Sequence, residues 1–167
     1  MVPGARCTCM QGCVTPSHYK IFNIMRLTTF TDYSLRVLIY LGLHDPALAT
    51  IGDIATAYGI SKNHLMKVVH YLGQQGYVET QRGKSGGLRL ARAPEQINLG
   101  QLVRDTEAQT VLLECFGPEA SDCRIEPVCA LRGILARSLQ AFYAVLDEHT
   151  LADVLHNRAQ LTHILGE

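Results

Sequence analysis

Apolar residues recur at three- and four-residue steps through MRLTTFTDYSLRVLIYLGL, which opens at Met25. That period predicts an amphipathic helix. Thr28 or Thr31 can cap it, Leu35, Leu38, Ile39 and Gly42 form its inward stripe, and Asp45-Pro46 ends it near Leu43. A second periodic run, TIGDIATAYGISKNHLMKVVHYLGQQGYV, covers Thr50 to Val78. Thr50 and Asp53 have the spacing of a capping box. Ala55 is small enough for two helices to cross, and Gly59 accepts the positive φ of a tight turn. Ile60, Leu65 and Val68 are placed to bury the next helix against the first two. This is the spacing of a helix-turn-helix, with an ordinary αα-hairpin as the plainer alternative.

The second helix of that unit starts from an N-cap at Ser61 and runs to about Gln74. Leu65, Val68, Val69 and Leu72 face inward, and Lys62, Asn63, His64, Lys67 and His70 face outward. The period then changes. In YVETQRGKSGGLRLAR, Val78 and Thr80 alternate before a glycine-rich tip, and Leu88 and Leu90 alternate after it. Gly83, Gly86 and Gly87 allow a tight hairpin, decorated by Arg82, Lys84, Ser85 and Arg89. A helix-turn-helix followed by a basic hairpin is a winged helix. The glycines lack the GK[ST] order of a nucleotide phosphate loop. After Pro94 a short helix begins near Asn98, with Leu99, Leu102 and Val103 inward. Leu131, Leu135, Leu139, Phe142 and Leu146 then stripe a long helix from Ala130 to about Asp147. Such a stripe outside the winged helix predicts a dimerisation helix, with packing inside one chain as the alternative. LADVLHNRAQLTHILGE reads as one more short helix and a frayed end.

The fold class is therefore mainly α with a small β wing. The expected organisation is a leader or misassigned start over 1–24 and a winged helix-turn-helix over 25–95. A connecting helix (96–113), a cysteine loop (114–129), a dimerisation helix segment (130–156) and a tail (157–167) follow.

Charge sharpens this picture. Net charge over the 167 residues is zero, yet residues 60–92 carry net +5 and residues 93–167 carry net −6. A basic block coinciding with the outward helix face and hairpin suggests a polyanion-binding surface. Ser61, Lys62, Asn63, His64, Lys67 and His70 are of types that reach phosphates and base edges in a major groove, and Arg82, Lys84, Ser85 and Arg89 suit backbone or minor groove. No apolar run approaches the ~20 residues of a membrane helix, and no secretory signal is visible at the N-terminus. The expected location is the cytoplasm, with double-stranded operator DNA as partner and no membrane.

In a reducing compartment six cysteines point to metal or redox chemistry rather than disulfides. Cys115, Cys123 and Cys129 fall in ECFGPEASDCRIEPVC with spacing C-x7-C-x5-C. Thiolates are soft ligands that suit iron–sulfur clusters or zinc. Zinc loops more often use C-x2-C pairs, absent here, and both centres usually take four ligands while the loop supplies three. The fourth would come from elsewhere or be a small molecule. Cys7, Cys9 and Cys13 lie in the leader and offer a second, minor thiol site. An enzyme is disfavoured, because there is no substrate-cradling motif, no paired catalytic carboxylates and no Cys-x-x-Cys pair.

From Met25 to about Leu155 the chain resembles the iron–sulfur winged-helix regulators, the family that includes IscR and NsrR, and within it the nitric-oxide-sensing NsrR branch. The matching motifs are MRLTTFTDYSLRVLIYL, GISKNHLMKVV, RGKSGGLRLAR and ECFGPEASDCRIEPVCALRG. The resemblance implies a homodimeric repressor with a 4Fe–4S cluster (2Fe–2S as the alternative) on Cys115, Cys123 and Cys129. It also implies that Asp32 of the partner subunit is the fourth ligand and that nitric oxide is the signal that releases operator DNA. By residue type alone, Asp32 is only a favourable first-turn acid. IscR-type ligation wants a histidine three residues after the last cysteine, where this chain has Arg132. Two other readings stay open: an iron–sulfur regulator of redox state or iron supply, and a zinc-stapled DNA-binding module that senses nothing.

Overall fold

The first N–H groups of a helix need acceptors from outside it, and Thr28 supplies one. Its side chain accepts from the Thr31 amide, and helix α1 runs Thr29–His44. The computed structural model describes residues 26–83, 86–118 and 121–165; the expected leader segment over 1–24, with Cys7, Cys9 and Cys13, lies outside the described residues. Helix α2, Ile51–Tyr58, opens on a complete capping box between Thr50 and Asp53. The Thr50 backbone and hydroxyl donors hold the Asp53 carboxyl below its usual range. Gly59 turns the chain at φ 64°, and helix α3 follows at Lys62–Gln74.

The core forms where these three helices meet. Leu38, Ile54, Leu65 and Leu72 are fully buried there. The stripe on α1 is wider than its period predicts. Leu38 and Gly42 are buried as expected, Leu35 and Ile39 are half-buried, and Val37, Tyr40 and Leu41 are buried as well. The reason is position: helices and a strand pack on α1 from several sides, so no single face meets water alone.

Strands β1 (Val78–Gln81) and β2 (Gly87–Leu90) pair antiparallel, with Val78 opposite Leu90 and Glu79 opposite Arg89. Val78, Leu88 and Leu90 face the core, while Glu79 and Arg89 face solvent. Ala49, between α1 and α2, exchanges backbone hydrogen bonds of 3.0 and 2.7 Å with Leu88. That contact explains one of the glycines. A Cβ on Gly87 would sit 2.9 Å from the Ala49 carbonyl oxygen, so close backbone approach demands glycine there.

Helix α4, Leu99–Glu107, is capped by the Asn98 side chain, which accepts from the Gln101 amide. Leu102 and Val103 are buried, and Leu99 is half-buried. An irregular stretch with two 3-10 turns, Glu114–Phe116 and Glu126–Val128, leads to helix α5, Ala130–Asp147. Where one short terminal helix was expected there are two, α6 (Leu151–Leu155) and α7 (Arg158–Ile164). They are not a frayed end. Leu151 is fully buried in the winged-helix core, its amide bonding the Ile97 carbonyl at 2.9 Å. Arg158 donates to the carbonyls of Gly42, Leu43 and Asp45, and so caps the exposed end of α1. The segment 130–156 thus holds two elements, a projecting α5 and an α6 that belongs to the core. Among the described residues no helix is long and apolar enough to cross a membrane.

Candidate nucleic-acid interface and metal centre

Helix α3 divides as its sequence pattern requires. Leu65, Val68, Val69 and Leu72 are buried, and Ser61, Lys62, Asn63, His64, Lys67 and His70 are exposed on the other side. The Ser61 hydroxyl makes no capping bond to the first turn of α3. Met66 is also half exposed on this helix, an apolar side chain among polar ones, suited to a thymine methyl. On the wing, Arg82 is exposed, while Lys84 and Ser85 lie outside the described residues. Arg89 is exposed but paired with Glu79, its cross-strand neighbour. Part of its charge is therefore already compensated.

The three thiols sit on the segment between α4 and α5. Cys115 lies in the first 3-10 turn, Cys123 is exposed in the loop, and Cys129 is the N-cap residue of α5. None is in a disulfide. Among the described residues no three metal-ligating side chains already form a group that could hold an ion. The donor set nonetheless suits a soft metal centre: three unpaired thiols on one loop, none buried, one at the helix end whose positive potential favours an anionic ligand. Arg132 braces this loop. Its Nε donates to the Cys115 carbonyl at 3.1 Å, and its Nη1 lies 3.5 Å from Glu126.

Asp32 lies in the first turn of α1, half-exposed, and pairs with Arg36 one turn on, at 2.9 Å. Among the described residues, Asp32 makes no hydrogen bond or ion pair with the cysteine segment of its own chain. The Arg36 guanidinium stands 5.7 Å from the Tyr58 ring, at the end of α2 next to the Gly59 turn. The Asp32 pair therefore sits beside the turn that aims α3.

Sequence reading passes over three residues of α4 that hold the two halves of the chain together. Arg104 makes a two-pronged ion pair with Asp147 of α5, both arms 2.6 Å, and its guanidinium lies 4.5 Å from the Tyr143 ring. Asp105 accepts from Tyr71 of α3 through its carbonyl and from Tyr77 at the wing base through its carboxylate, the latter at 2.6 Å. Burial and the Asp105 acceptor push the Tyr77 hydroxyl far above its usual range. Glu107 is buried and accepts from the Thr28 amide at 2.7 Å, the Thr28 hydroxyl at 2.9 Å, and the Thr31 hydroxyl. Burial raises its carboxyl, but the bonds from Thr31 and Thr28 outweigh that and hold it below the usual range. One sequence signal for Glu107 exists. An acid in the last turn of a helix opposes the macrodipole and needs another reason to be there.

An exposed polar helix face, a paired wing beside it and a core that fixes both define a winged-helix DNA-binding regulator. The Rrf2 family, described as an iron-dependent transcriptional regulator, matches residues 27–157. The chain belongs to the Rrf2 family. The HTH-type transcriptional regulator NsrR of Bacillus subtilis is 51% identical over 142 residues, 84% of this chain and 97% of that protein. Its namesake from Bacillus licheniformis is 49% identical over 143 residues, 85% of this chain and all of that protein. Among solved structures, IscR of T. potens is similar with a TM-score of 0.61 and 26% identity, covering 78% of this chain and 86% of that one. CymR, the global cysteine regulator of B. subtilis, has a TM-score of 0.61 and 27% identity, covering 78% and 95%. The family and the two NsrR relatives are named as transcriptional regulators and not as enzymes.

Proposed function

We propose that the protein is a homodimeric, cytoplasmic repressor that binds operator DNA and senses nitric oxide through a 4Fe–4S cluster. The observation that carries this reading is the pairing of three free thiols with a helix that has no fully buried residue. Cys115, Cys123 and Cys129 precede α5, which has no buried residue and exposes Leu131 and Ile134. An apolar helix left open in one chain is suited to a second copy of that chain. Cys115, Cys123 and Cys129 would hold the cluster with Asp32 of the partner subunit. When bound, the cluster supplies iron that nitric oxide attacks readily.

The remaining steps belong to the chain. The carboxylate of Asp32 that would hold the cluster is the one Arg36 engages at 2.9 Å. Arg36 also stands over the Tyr58 ring, so a change at Asp32 would reach the turn before α3. From the other side, Glu107 ties the helix leading into the thiol loop to the start of α1. Both routes bear on the angle at which Ser61, Lys62, Asn63, His64, Lys67 and His70 meet DNA. Two such helices would enter major grooves about 34 Å apart, with Arg82, Lys84, Ser85 and Arg89 of each wing on the flanking backbone.

The test is operator affinity at fixed salt during nitric oxide titration, after anaerobic purification with iron and sulfide counted per subunit. About four irons and a fall in affinity of up to ~150-fold, a coupling of ~3 kcal/mol, are expected. Cluster nitrosylation with unchanged affinity sinks the proposal. A second reading, a regulator of iron supply or redox state with a 2Fe–2S centre, draws on the family's iron-dependent description and the likeness to IscR. Two irons per subunit would favour it. Zinc without sulfide would leave a stapled DNA-binding module.

A further inference from the structure

We infer that Arg132 is a positioning residue for the metal centre: it ties the two ends of the thiol loop to each other. The inference rests on the cluster reading above. Its geometry is independent of Asp32 and of the dimer. Arg132 lies in the first turn of α5 and reaches back across the loop. Its Nε donates to the backbone carbonyl of Cys115, seventeen residues earlier, at 3.1 Å. Its Nη1 lies 3.5 Å from the carboxylate of Glu126, in the turn that delivers Cys129. Its guanidinium stands 6.0 Å from the ring of Phe116, next to Cys115. One rigid fork therefore touches the turn carrying the first ligand and the turn carrying the last. It grips the backbone of a ligand residue and leaves the thiols alone.

The physical effect is pre-organisation. Three ligands spread along one loop must give up conformational freedom when they converge on a metal. A loop whose ends are already held gives up less. Both ends also carry short-range hydrogen bonds of their own turns: Gly117 to Glu114 at 2.9 Å, and Cys129 to Glu126 at 3.3 Å. The role requires arginine rather than any cation. A lysine ammonium can serve the carbonyl or the carboxylate but lacks the planar fork that spans both. Residues that orient metal ligands from behind commonly change metal retention 10–100-fold when removed.

The experiment uses the full chain, purified anaerobically as wild type, Arg132→Ala and Arg132→Lys. Iron release to a ferrous chelator is followed by absorbance. Amide exchange of the metal-free proteins is followed by mass spectrometry over residues 114–130. About tenfold faster iron release is expected for Arg132→Ala, with Arg132→Lys between it and wild type. The metal-free Arg132→Ala protein should exchange faster in this segment alone, with its melting temperature unchanged. Equal iron release in wild type and Arg132→Ala overturns the inference and leaves the cluster reading standing. Wild-type protein that carries no iron or sulfide after iron-replete expression overturns the cluster reading, and the inference with it.

Discussion

The winged helix and the thiol segment stand in opposite relations to water. The first buries a complete apolar core in which Leu38, Ile54, Leu65, Leu72 and Leu102 are fully enclosed. The second, from Glu114 to the end of α5, has no residue in the buried class among those described, and leaves Val128 85% exposed. One region is held by contacts it makes itself. The other has its helix and its turns but lacks the burial that usually stabilises them. On the proposed function, a reader of DNA has to keep its shape, whereas a sensor has to depend on something that can be taken away. The contrast fits that division of labour.

Substitutions on the two sides should therefore behave differently. The largest effect is expected in the core: Leu65→Ala should cost about 2–5 kcal/mol in chemical denaturation. Ile134→Asp on α5 should change subunit stability by only about 0.5 kcal/mol. In sedimentation, however, it should shift the protein from dimer to monomer. If Ile134→Asp destabilised the subunit as much as Leu65→Ala, the contrast would collapse.

Glu107 joins the two regions and comes next in size. Glu107→Gln should cost about 1–3 kcal/mol at neutral pH, because its bonds from Thr28 and Thr31 lose their charge. Its folded-state carboxyl titrates below the ordinary value of 4.5. Its contribution is thus fully present above pH 4.5 and fades as pH falls through the folded-state value. Asp53, Asp147 and Asp153 are also held low, so the informative quantity is the gap between wild type and Glu107→Gln. That gap should close on acidification. A gap independent of pH would mean the side chain fills space without bearing charge.

The smallest effects distinguish basic residues that look alike in sequence. Lys67→Ala should lower the salt slope of operator binding by about one. Arg89→Ala should lower it by clearly less, because Glu79 shares its charge. Equal slopes for the two would show that the Arg89–Glu79 pair opens on DNA.

Local chemistry made much of this legible from sequence. The Thr28 cap, the Thr50–Asp53 box, the Gly59 turn and the two faces of α3 each depend on residues within a few positions of one another. The Glu79–Arg89 pair is not among the sequence expectations, although it follows from the hairpin register once the tip is placed. Long-range partners stayed hidden. Glu107 meets Thr28 across 79 positions, Arg104 meets Asp147 across 43, and no periodicity encodes either. The same holds for Leu151, whose helix reads as a tail but fills the core. For the site, composition singled out the cysteines at once. Asp32 has only an ordinary ion pair to show in a single chain, and a ligand role shared between copies, as proposed, would leave no local trace in one chain.

The grips on α4 also decide where this molecule can be divided and recombined. A chimera cut after the wing, near residue 95, would leave Tyr71 and Tyr77 without Asp105, and Thr28 without Glu107. Its DNA-reading half would arrive with hydroxyl and amide donors missing their acceptors. The workable joint lies after Glu107, with α6 and α7 retained to supply Leu151 and Arg158. The interchangeable cassette is then the stretch between α4 and α6. Signal could be exchanged there as a unit, while operator choice stays with the residues that carry it.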